Sequence, residues 1–432
     1  MVEIKDSVIK FGGTSVANES KKIEEISKIE NPRYVVVSAP GKRTPMDAKV
    51  TDILMDLHKK GYYASEIIGR YKGIGDDSKL AEINQELIDR CNQDESQKRY
   101  EEIVSFGEWA SAKVLAPVLG MPFFDAKNFI EVKDKKFKRT FNLDSVPPRA
   151  VIPGFYGSNL EGKIETFTRG GSDITGAIVA NAFNLAYHNF TDSPINVVDP
   201  RLIENPVEIS EMTFRELRYL TLSGFSIIHE DVWKLMEEAR LPLVVRSTKN
   251  YPNSGTLVVN ERLLDLNKPI TGISYQDNFM IITVDSRNTD NQGFDRSLHE
   301  EFDKYKINLA TTSGGFTDTS FLLDKTQKNL NPLSNEKEIV LTPQILNNLI
   351  KTFTNMGYGV EIKDNIACIA LVGEELKENR GILGKISNVI SDSRNNISFV
   401  SQSGCEKSII YAVRGGADGI ETLQSLYNTF FK

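Results

Sequence analysis

The chain has 432 residues, of which 40% are hydrophobic and 26% are charged. This length is too great for one hydrophobic core and suggests about three domains. Because 59 acidic residues outnumber 52 basic ones, the formal net charge is −7, which argues against a nucleic-acid partner and against binding to an anionic membrane surface.

Cysteine usage and the N-terminus predict a cytoplasmic protein. Cys91, Cys368 and Cys405 lie far apart and form no metal-binding pair or redox dipeptide, which is typical of a reducing compartment. The first residues carry charges where a signal peptide needs an apolar core. No apolar run reaches the roughly 18–20 residues that span a bilayer, so we expect no association with a membrane.

Over the first two-thirds of the chain, short apolar strands alternate with helical patterns. Continuous apolar runs such as residues 34–37, Tyr-Val-Val-Val, indicate strands buried on both faces of a parallel sheet. We therefore predict an α/β fold whose open, mostly parallel sheet carries helices on both faces and binds ligands at the carboxyl ends of its strands. The predicted strands are 7–10, 34–37, 150–154 and 243–245, and the predicted helices are 19–29, 50–60, 78–91 and 96–117.

After residues 256–271 the pattern changes to two successive βαββαβ-like units. This internal duplication predicts two ferredoxin-like α+β domains. The first contains strands 279–284, 308–312 and 319–323 with helices 294–305 and 343–356. The second contains strands 366–372, 397–401 and 408–413 with helices 381–392 and 418–430.

A glycine-rich turn follows the first predicted strand. Residues 10–15 read Lys-Phe-Gly-Gly-Thr-Ser and precede a helix. Gly12 and Gly13 would let backbone N–H groups approach phosphate oxygens, and Lys10 would supply a positive charge for a phosphoryl group. The lysine precedes the glycines, so this is not a P-loop, and a simple strand-to-helix turn with a surface lysine is the alternative.

A second glycine-rich helix start lies at residues 168–177. Arg169 can hold a carboxylate through two parallel hydrogen bonds. Asp173 falls in the first helical turn, where the helix dipole favours a carboxylate that could orient an ammonium group. A capping turn with an incidental salt bridge is the alternative, but two such starts with opposite charges in one domain favour a functional site.

Taken together, these motifs resemble those of the aspartate kinases in their order along the chain. The resemblance extends over the whole chain. It implies an amino-acid kinase domain at residues 1–265 and two ACT-like regulatory domains at 270–360 and 361–432. The other matching segments are residues 37–42, 106–108, 154–155, 199–201 and 246–249.

The reaction that this resemblance implies is phosphorylation of the β-carboxylate of L-aspartate by MgATP, the first step towards lysine, threonine and methionine. Direct transfer requires positioning and charge neutralisation and no protein nucleophile. Mg²⁺ would be carried mainly by the nucleotide phosphates, and no metal ligand from the protein is predicted.

The resemblance also implies roles for individual residues. Lys10 and Lys249 would flank the β- and γ-phosphates, with Asp173 as a third catalytic residue. Arg169 and Glu108 would bind the α-carboxylate and the ammonium group of aspartate. A solvent-facing glutamate is the alternative for Glu108, an ordinary core residue is the alternative for Phe155, and Thr51 is preferred over Thr44. The further ATP-binding residues are Gly12, Gly13, Thr191, Asp192 and Arg201, and the further substrate-binding residues are Ser38, Thr51, Phe155 and Ser172.

Two departures from the family pattern are found around the nucleotide. Residues 193–198 lack the tyrosine that usually lies near adenine. His229 lacks the proline that commonly follows nearby, and we expect it to be a structural residue at a helix start. The missing tyrosine, together with the substituted effector loop described below, leaves open a second hypothesis, a catalytically weak amino-acid sensor whose kinase domain has drifted. The presence of Lys10, Glu108, Arg169, Asp173 and Lys249 speaks against it.

The ACT-like region is expected to bind a regulatory amino acid, lysine and/or threonine, and to form a homodimer or a dimer of dimers. Lysine-inhibited relatives often carry acidic residues at the positions of Asn308 and Gly314, so their absence weakens the case for a cationic effector. Dimerisation without regulation is the alternative. The candidate effector-binding residues are Gly293, Phe294, Asn308, Thr312 and Ser313.

Overall fold

A computed structural model describes ten segments of the chain, which divides into two compact units. The first unit comprises residues 1–195, 208–215 and 227–262, and the second comprises residues 196–207, 216–226 and 263–432. The described segments are residues 6–60, 64–92, 97–168, 170–225, 228–253, 255–286, 294–326, 341–402, 404–405 and 407–432.

The first unit contains eleven described strands, and ten described α-helices begin in it. The strands are β1 (Ser7–Phe11), β2 (Tyr34–Val37), β3 (Ile130–Lys133), β4 (Lys136–Thr140), β5 (Ala150–Pro153), β6 (Tyr156–Ser158), β7 (Ile164–Thr166), β8 (Ala186–Thr191), β9 (Glu211–Thr213), β10 (Leu243–Ser247) and β11 (Thr256–Val259). The helices are α1 (Gly13–Asn18), α2 (Ser20–Glu30), α3 (Val50–Lys60), α4 (Ala64–Gly69), α5 (Leu80–Cys91), α6 (Gln97–Val104), α7 (Phe106–Val118), α8 (Gly171–Phe183), α9 (Phe214–Leu222), which continues into the second unit, and α10 (Glu230–Ala239).

The main sheet of the first unit has seven strands in the order β5-β2-β1-β8-β10-β11-β9. The first five strands of this order pair in parallel, β10 and β11 pair antiparallel, and β11 and β9 pair in parallel. Every residue of β1, β2 and β5 is buried, as expected when both faces of a sheet are covered. The predicted α/β fold with a mostly parallel sheet is confirmed.

The order of the parallel strands reverses between β1 and β8. From β1 the chain builds outward to β2 and β5, and from β8 it builds in the other direction to β10. In open α/β sheets such a reversal leaves a crevice at the carboxyl ends of the strands, where ligands bind. The segments that follow these strand ends, residues 12–15, 38–42, 154–155, 192–193 and 248–249, therefore lie along one edge of the sheet.

A second sheet of the first unit was not predicted. It contains four short strands in the order β4-β3-β6-β7. The sequence of β4, Lys-Phe-Lys-Arg-Thr, is mostly exposed, so it carries none of the continuous apolar pattern used to recognise the buried strands.

The predicted helix at residues 96–117 is divided into α6 and α7 at Ser105. The hydroxyl of Ser105 donates to the carbonyl of Glu102 at 3.1 Å, and such local side-chain bonds compete with the backbone pattern of a helix. The predicted helix at 50–60 coincides with α3, and the predicted helices at 19–29 and 78–91 agree with α2 and α5 within two residues.

The second unit contains one six-stranded antiparallel sheet in the order β13-β14-β12-β15-β17-β16. Its strands are β12 (Gly272–Asp285), β13 (Leu309–Gly314), β14 (Asp318–Asp324), β15 (Gly359–Val372), β16 (Ile397–Gln402) and β17 (Ser408–Arg414), and its helices are α11 (Phe294–Lys304), α12 (Pro343–Asn355), α13 (Ile382–Asp392) and α14 (Ala417–Phe431).

The two longest strands of this sheet are shared between its halves. Residues 279–285 of β12 pair with β14 and with residues 359–366 of β15, whereas residues 272–276 of β12 pair with residues 368–372 of β15. The second part of β15 also pairs with β17. The predicted strands 279–284 and 366–372 are thus parts of longer strands, and the predicted boundary between residues 360 and 361 lies within β15.

Among the described residues, the structure shows no helix with both the length and the apolar character that crossing a membrane requires.

Candidate active site

Lys10 lies in a buried cluster with Asp173 and Asn189. Its ammonium nitrogen is 2.5 Å from Oδ1 of Asp173 and donates to Oδ1 of Asn189 at 3.3 Å. The amide of Asn189 also donates to Oδ1 of Asp173 at 3.0 Å. Lys10 and Asn189 are almost fully buried. The three side chains therefore fix one positive charge in place at the strand ends.

Three different elements place these side chains together. Lys10 in β1 is directly paired with Asn189 in β8, so both lie at the reversal of strand order. Asp173 lies in the first turn of α8, whose N-cap Gly170 has a φ of 81°, a left-handed conformation that favours glycine. Asn189 was not predicted, although an amide within the buried strand β8 was a signal for it.

The glycines of the first turn allow a close backbone crossing. The N–H of Gly41 donates to the carbonyl of Gly13 at 2.7 Å. A Cβ atom on Gly13 would lie 2.8 Å from the carbonyl oxygen of Ala39, which is too close for a non-bonded contact. The segments after β1 and β2 thus approach each other through backbone alone, and the N–H of Gly12 is bonded to the carbonyl of Phe190 at 3.1 Å.

Glu108 is buried in the first turn of α7, 3% exposed. Burial raises the pKa of its carboxyl from 4.5 to about 8, against a smaller opposing effect of the Ala39 N–H. Among the described residues, its Oε2 atom has no hydrogen-bond partner. A carboxyl in this position would gain a counter-charge from a ligand ammonium group, and its ionised form would then be favoured.

Phe155 and Ser172 lie where β5 meets the start of α8. Phe155 has a φ of 77°, which is uncommon for an aromatic residue. Its N–H donates to Oγ1 of Thr175 at 3.0 Å. A Cβ atom on Gly171 would lie 2.7 Å from the Phe155 ring, so the ring packs directly on the helix start. Ser172 is buried at the same helix start, 8% exposed.

Ser38 and Thr51 lie at the ends of the connection after β2. Ser38 follows the strand directly and its N–H donates to the carbonyl of Phe11 at 3.2 Å. Thr51 is partly buried in the first turn of α3. Ser38 is thereby fixed against β1, the strand that carries Lys10.

The predicted nucleotide-binding residues are divided between the two units. Thr191 ends β8, and Asp192 follows it with a carbonyl that accepts a hydrogen bond from the hydroxyl of Ser247 at 3.2 Å. Lys249 is exposed in the turn after β10. Arg201 belongs to the second unit, where its guanidinium is 2.5 Å from Oδ2 of Asp199.

His229 is the N-cap of α10, and its Nδ1 atom accepts a hydrogen bond from the N–H of Asp231 at 3.3 Å. The predicted position of His229 at a helix start is confirmed.

Two predicted residues, Arg169 and Gly293, lie outside the described residues. Of the other candidate effector residues, Phe294 begins α11, Thr312 and Ser313 lie in β13, and Asn308 directly precedes that strand. Within the described ranges, no three His, Cys, Asp or Glu side chains converge as a metal site.

Sequence comparison matches the amino acid kinase family at residues 7–247 and an ACT domain at residues 369–430. Aspartokinase 3 of Bacillus subtilis is 28% identical to this chain over 98% of both sequences. The first match includes most of the first unit, and the second match lies in the C-terminal part of the second unit.

Comparison with solved structures gives a consistent result. The aspartate kinase of Clostridium acetobutylicum has a TM-score of 0.84 and 28% identity, covering 98% of this chain and 100% of the other. Two structures of Escherichia coli aspartokinase III, one with aspartate and ADP and one with lysine and aspartate, have TM-scores of 0.71 and 0.69. Both are 22% identical, with 99% of this chain and 100% of the other covered, and they support the fold alone.

Proposed function

The chain belongs to the amino acid kinase family, and on that premise we propose that it is an aspartate kinase. It transfers the γ-phosphoryl group of ATP to the β-carboxylate of L-aspartate and releases ADP. The full-length similarity to an aspartokinase of Bacillus subtilis supports this substrate assignment.

The observation that carries the proposal is the presence of two buried ionisable groups, the Lys10 ammonium and the Glu108 carboxyl, beside one backbone crossing. Lys10 lies at the end of β1, two residues before Gly12 and three before Gly13. The segment at Ala39 approaches Gly13, and the N–H of Ala39 also acts on the Glu108 carboxyl. A cation for phosphate and an acid for an ammonium group thus flank the same crevice.

Lys10 is proposed to bind the transferring phosphoryl group. A lysine ammonium has three N–H donors; in the described part of the chain, two of them are directed at Asp173 and Asn189. The third would reach a phosphate oxygen. Because the charge is already oriented, little reorganisation is needed as negative charge develops during transfer.

Lys249 is proposed to contact the phosphates from the opposite side. It follows β10, which is separated from β1 only by β8. Two strand spacings amount to about 10 Å, which leaves room for a phosphoryl group between the two lysine side chains. Mg²⁺ would enter with ATP, and Gly12, Gly13, Thr191, Asp192 and Arg201 remain the proposed further ATP-binding residues.

Glu108 is proposed to bind the substrate ammonium group. Burial raises the pKa of its carboxyl, and the substrate ammonium group would supply a counter-charge. Arg169 is proposed to bind the α-carboxylate, with Ser38, Thr51, Phe155 and Ser172 around the substrate. This arrangement selects a small amino acid whose side chain ends in a carboxylate.

Regulation is proposed to act through the ACT-like region, because an ACT domain matches residues 369–430 and the E. coli enzyme has been solved with lysine. Lysine and/or threonine would bind near residues 294 and 308–313. The reaction would begin the pathway to lysine, threonine and methionine in the cytoplasm, and the enzyme would be a homodimer or a dimer of dimers.

A coupled assay of ADP release tests the proposal. Purified protein with MgATP should release ADP in an L-aspartate-dependent manner, and hydroxylamine should trap the acyl phosphate as a hydroxamate. Lys10→Ala should abolish turnover, whereas Lys28→Ala, on the exposed face of α2, should not. Activity with L-glutamate but not L-aspartate would exclude the assignment, and absence of wild-type activity at saturating ATP would favour the sensor hypothesis.

A further inference from the structure

The turn that carries Lys249 is held by the N-terminal helices at several points. The backbone carbonyl of Lys249 accepts a hydrogen bond from the ammonium group of Lys22 at 2.7 Å. The hydroxyls of Ser15 and Thr248 are 2.7 Å apart and both residues are buried. Because the side chain of Lys249 is exposed, its position depends on how firmly this backbone is held.

Glu30, the last residue of α2, binds both ends of the same turn. Its Oε1 atom accepts hydrogen bonds from Nη1 of Arg246 at 2.7 Å and from the hydroxyl of Tyr251 at 3.0 Å. Arg246 precedes Lys249 by three residues and Tyr251 follows it by two. One carboxylate oxygen thereby links residues 246 and 251, which lie on either side of Lys249 in the sequence.

The surroundings of Glu30 favour its ion pair with Arg246 over other partners. The side chains of Glu30 and Arg246 are 22% and 18% exposed, so solvent screens their attraction only in part. Nδ1 of His188 lies 4.0 Å from the other oxygen of Glu30. Burial and the nearby Arg246 lower the pKa of His188 to about 4. The imidazole is therefore neutral near pH 7 and does not draw Glu30 away from Arg246.

We propose that Glu30 is a positioning residue for phosphoryl transfer, which holds the 246–251 turn so that Lys249 meets the phosphates of ATP. This inference rests on the proposed function of Lys249. Glu30 itself does not touch the substrate. The residue has no counterpart in the motifs that identify the active site, because it acts from the end of a helix that precedes β2.

Steady-state kinetics of Glu30→Ala give the first test, with Glu24→Ala as its matched control. Glu24 lies on the same helix and forms an exposed pair with Lys28. Displacement of a reacting group by about 1 Å costs about a hundredfold in rate. Glu30→Ala should therefore lower kcat by roughly 10-fold to 100-fold, with the KM for aspartate changed less than about twofold. Glu24→Ala should match wild type.

A double-mutant cycle distinguishes positioning from a general loss of structure. In the Lys249→Ala background, Glu30→Ala should cause little further loss of kcat, because the group that it positions is gone. Tyr251→Phe, which removes one hydroxyl, should lower kcat by about threefold to tenfold without lowering Tm below that of Glu24→Ala. An equal loss of kcat from Glu30→Ala in the wild-type and Lys249→Ala backgrounds would overturn the proposal. Wild-type kinetics in both single variants, Tyr251→Phe and Glu30→Ala, would also overturn it.

Calorimetric titration with MgATP separates this inference from the proposed function. If the wild type lacks aspartate-dependent turnover, the proposed function fails. The affinity for MgATP still measures whether Glu30 holds the 246–251 turn in place for Lys249. Glu30→Ala and Lys249→Ala should each weaken MgATP binding by about tenfold, and the two effects should not add. Wild-type affinity in Glu30→Ala would overturn the role of Glu30 whatever the turnover.

Discussion

Replacing Glu108 by glutamine should change how the stability of the protein depends on pH. The folded protein raises the pKa of this carboxyl from 4.5 to about 8. Between these two values the folded state retains a proton that the unfolded chain has released, so the stability from this group falls as pH rises. The slope is about 1.4 kcal/mol per pH unit, and the full difference between the two pKa values corresponds to about 5 kcal/mol.

Glutamine keeps the shape of the side chain and does not titrate. Relative to wild type, Glu108→Gln should therefore gain stability by roughly 4 kcal/mol between pH 5 and pH 8. For a unit of this size each kcal/mol corresponds to a shift in Tm of about 2–4 °C. Differential scanning calorimetry at several pH values should show the Tm of the variant rising by roughly 10 °C relative to wild type over that range.

Substrate binding gives an independent measurement of the same carboxyl. An ammonium group beside Glu108 favours the carboxylate, so L-aspartate binding at pH 7 should release a proton from wild type. Calorimetric titration in buffers of different ionisation enthalpy measures that proton. Parallel Tm–pH curves for wild type and Glu108→Gln, together with no proton release, would refute the argument and show that Glu108 is already ionised in the free protein.

Three further predictions concern the crevice and the six-stranded sheet of the second unit. Asn189→Ala should lower kcat by roughly 10-fold to 100-fold in the coupled assay because Lys10 loses an acceptor that fixes it; unchanged kinetics would show that Asp173 alone suffices. Gly13→Ala should lower stability by about 1–3 kcal/mol because its Cβ would lie 2.8 Å from the Ala39 oxygen, whereas Gly69→Ala, with open space around it, should melt like wild type. Lysine or threonine, if bound by the native protein, should raise Tm progressively with concentration, and a flat response to both would exclude them as effectors.

Most elements of the fold could be predicted because their pattern of buried residues is visible in the sequence. Strands buried on both faces appear as unbroken apolar runs, and β2 was predicted with its observed bounds. The four-stranded sheet was missed because strands such as β4 face solvent and carry charges. The full lengths of β12 and β15 were also missed, because polar residues inside each strand, at 276–278 and 363–365, conceal its continuity.

The site was predictable where glycine or charge marks a turn, and less so where a contact joins distant segments. Lys10 and Asp173 follow from two glycine-rich helix starts, and the structure places them 2.5 Å apart. Asn189 and Glu30 were missed, since each acts through a partner more than 150 residues away in sequence. Such partners become visible only when strand order is known.

The pairing of β12 with β15 also determines when the six-stranded sheet of the second unit can form during synthesis. Gly272 pairs with Val372, so the first residues of β12 leave the ribosome long before their partner does. Until then the nascent chain presents an unpaired strand edge, which is the kind of surface that promotes aggregation. Both halves of the sheet contain segments of β12 and β15. A chain terminated near residue 360 would therefore leave both halves incomplete. The sheet can therefore be completed only after the whole duplicated region has been synthesised, although the βαββαβ-like pattern occurs twice in its sequence.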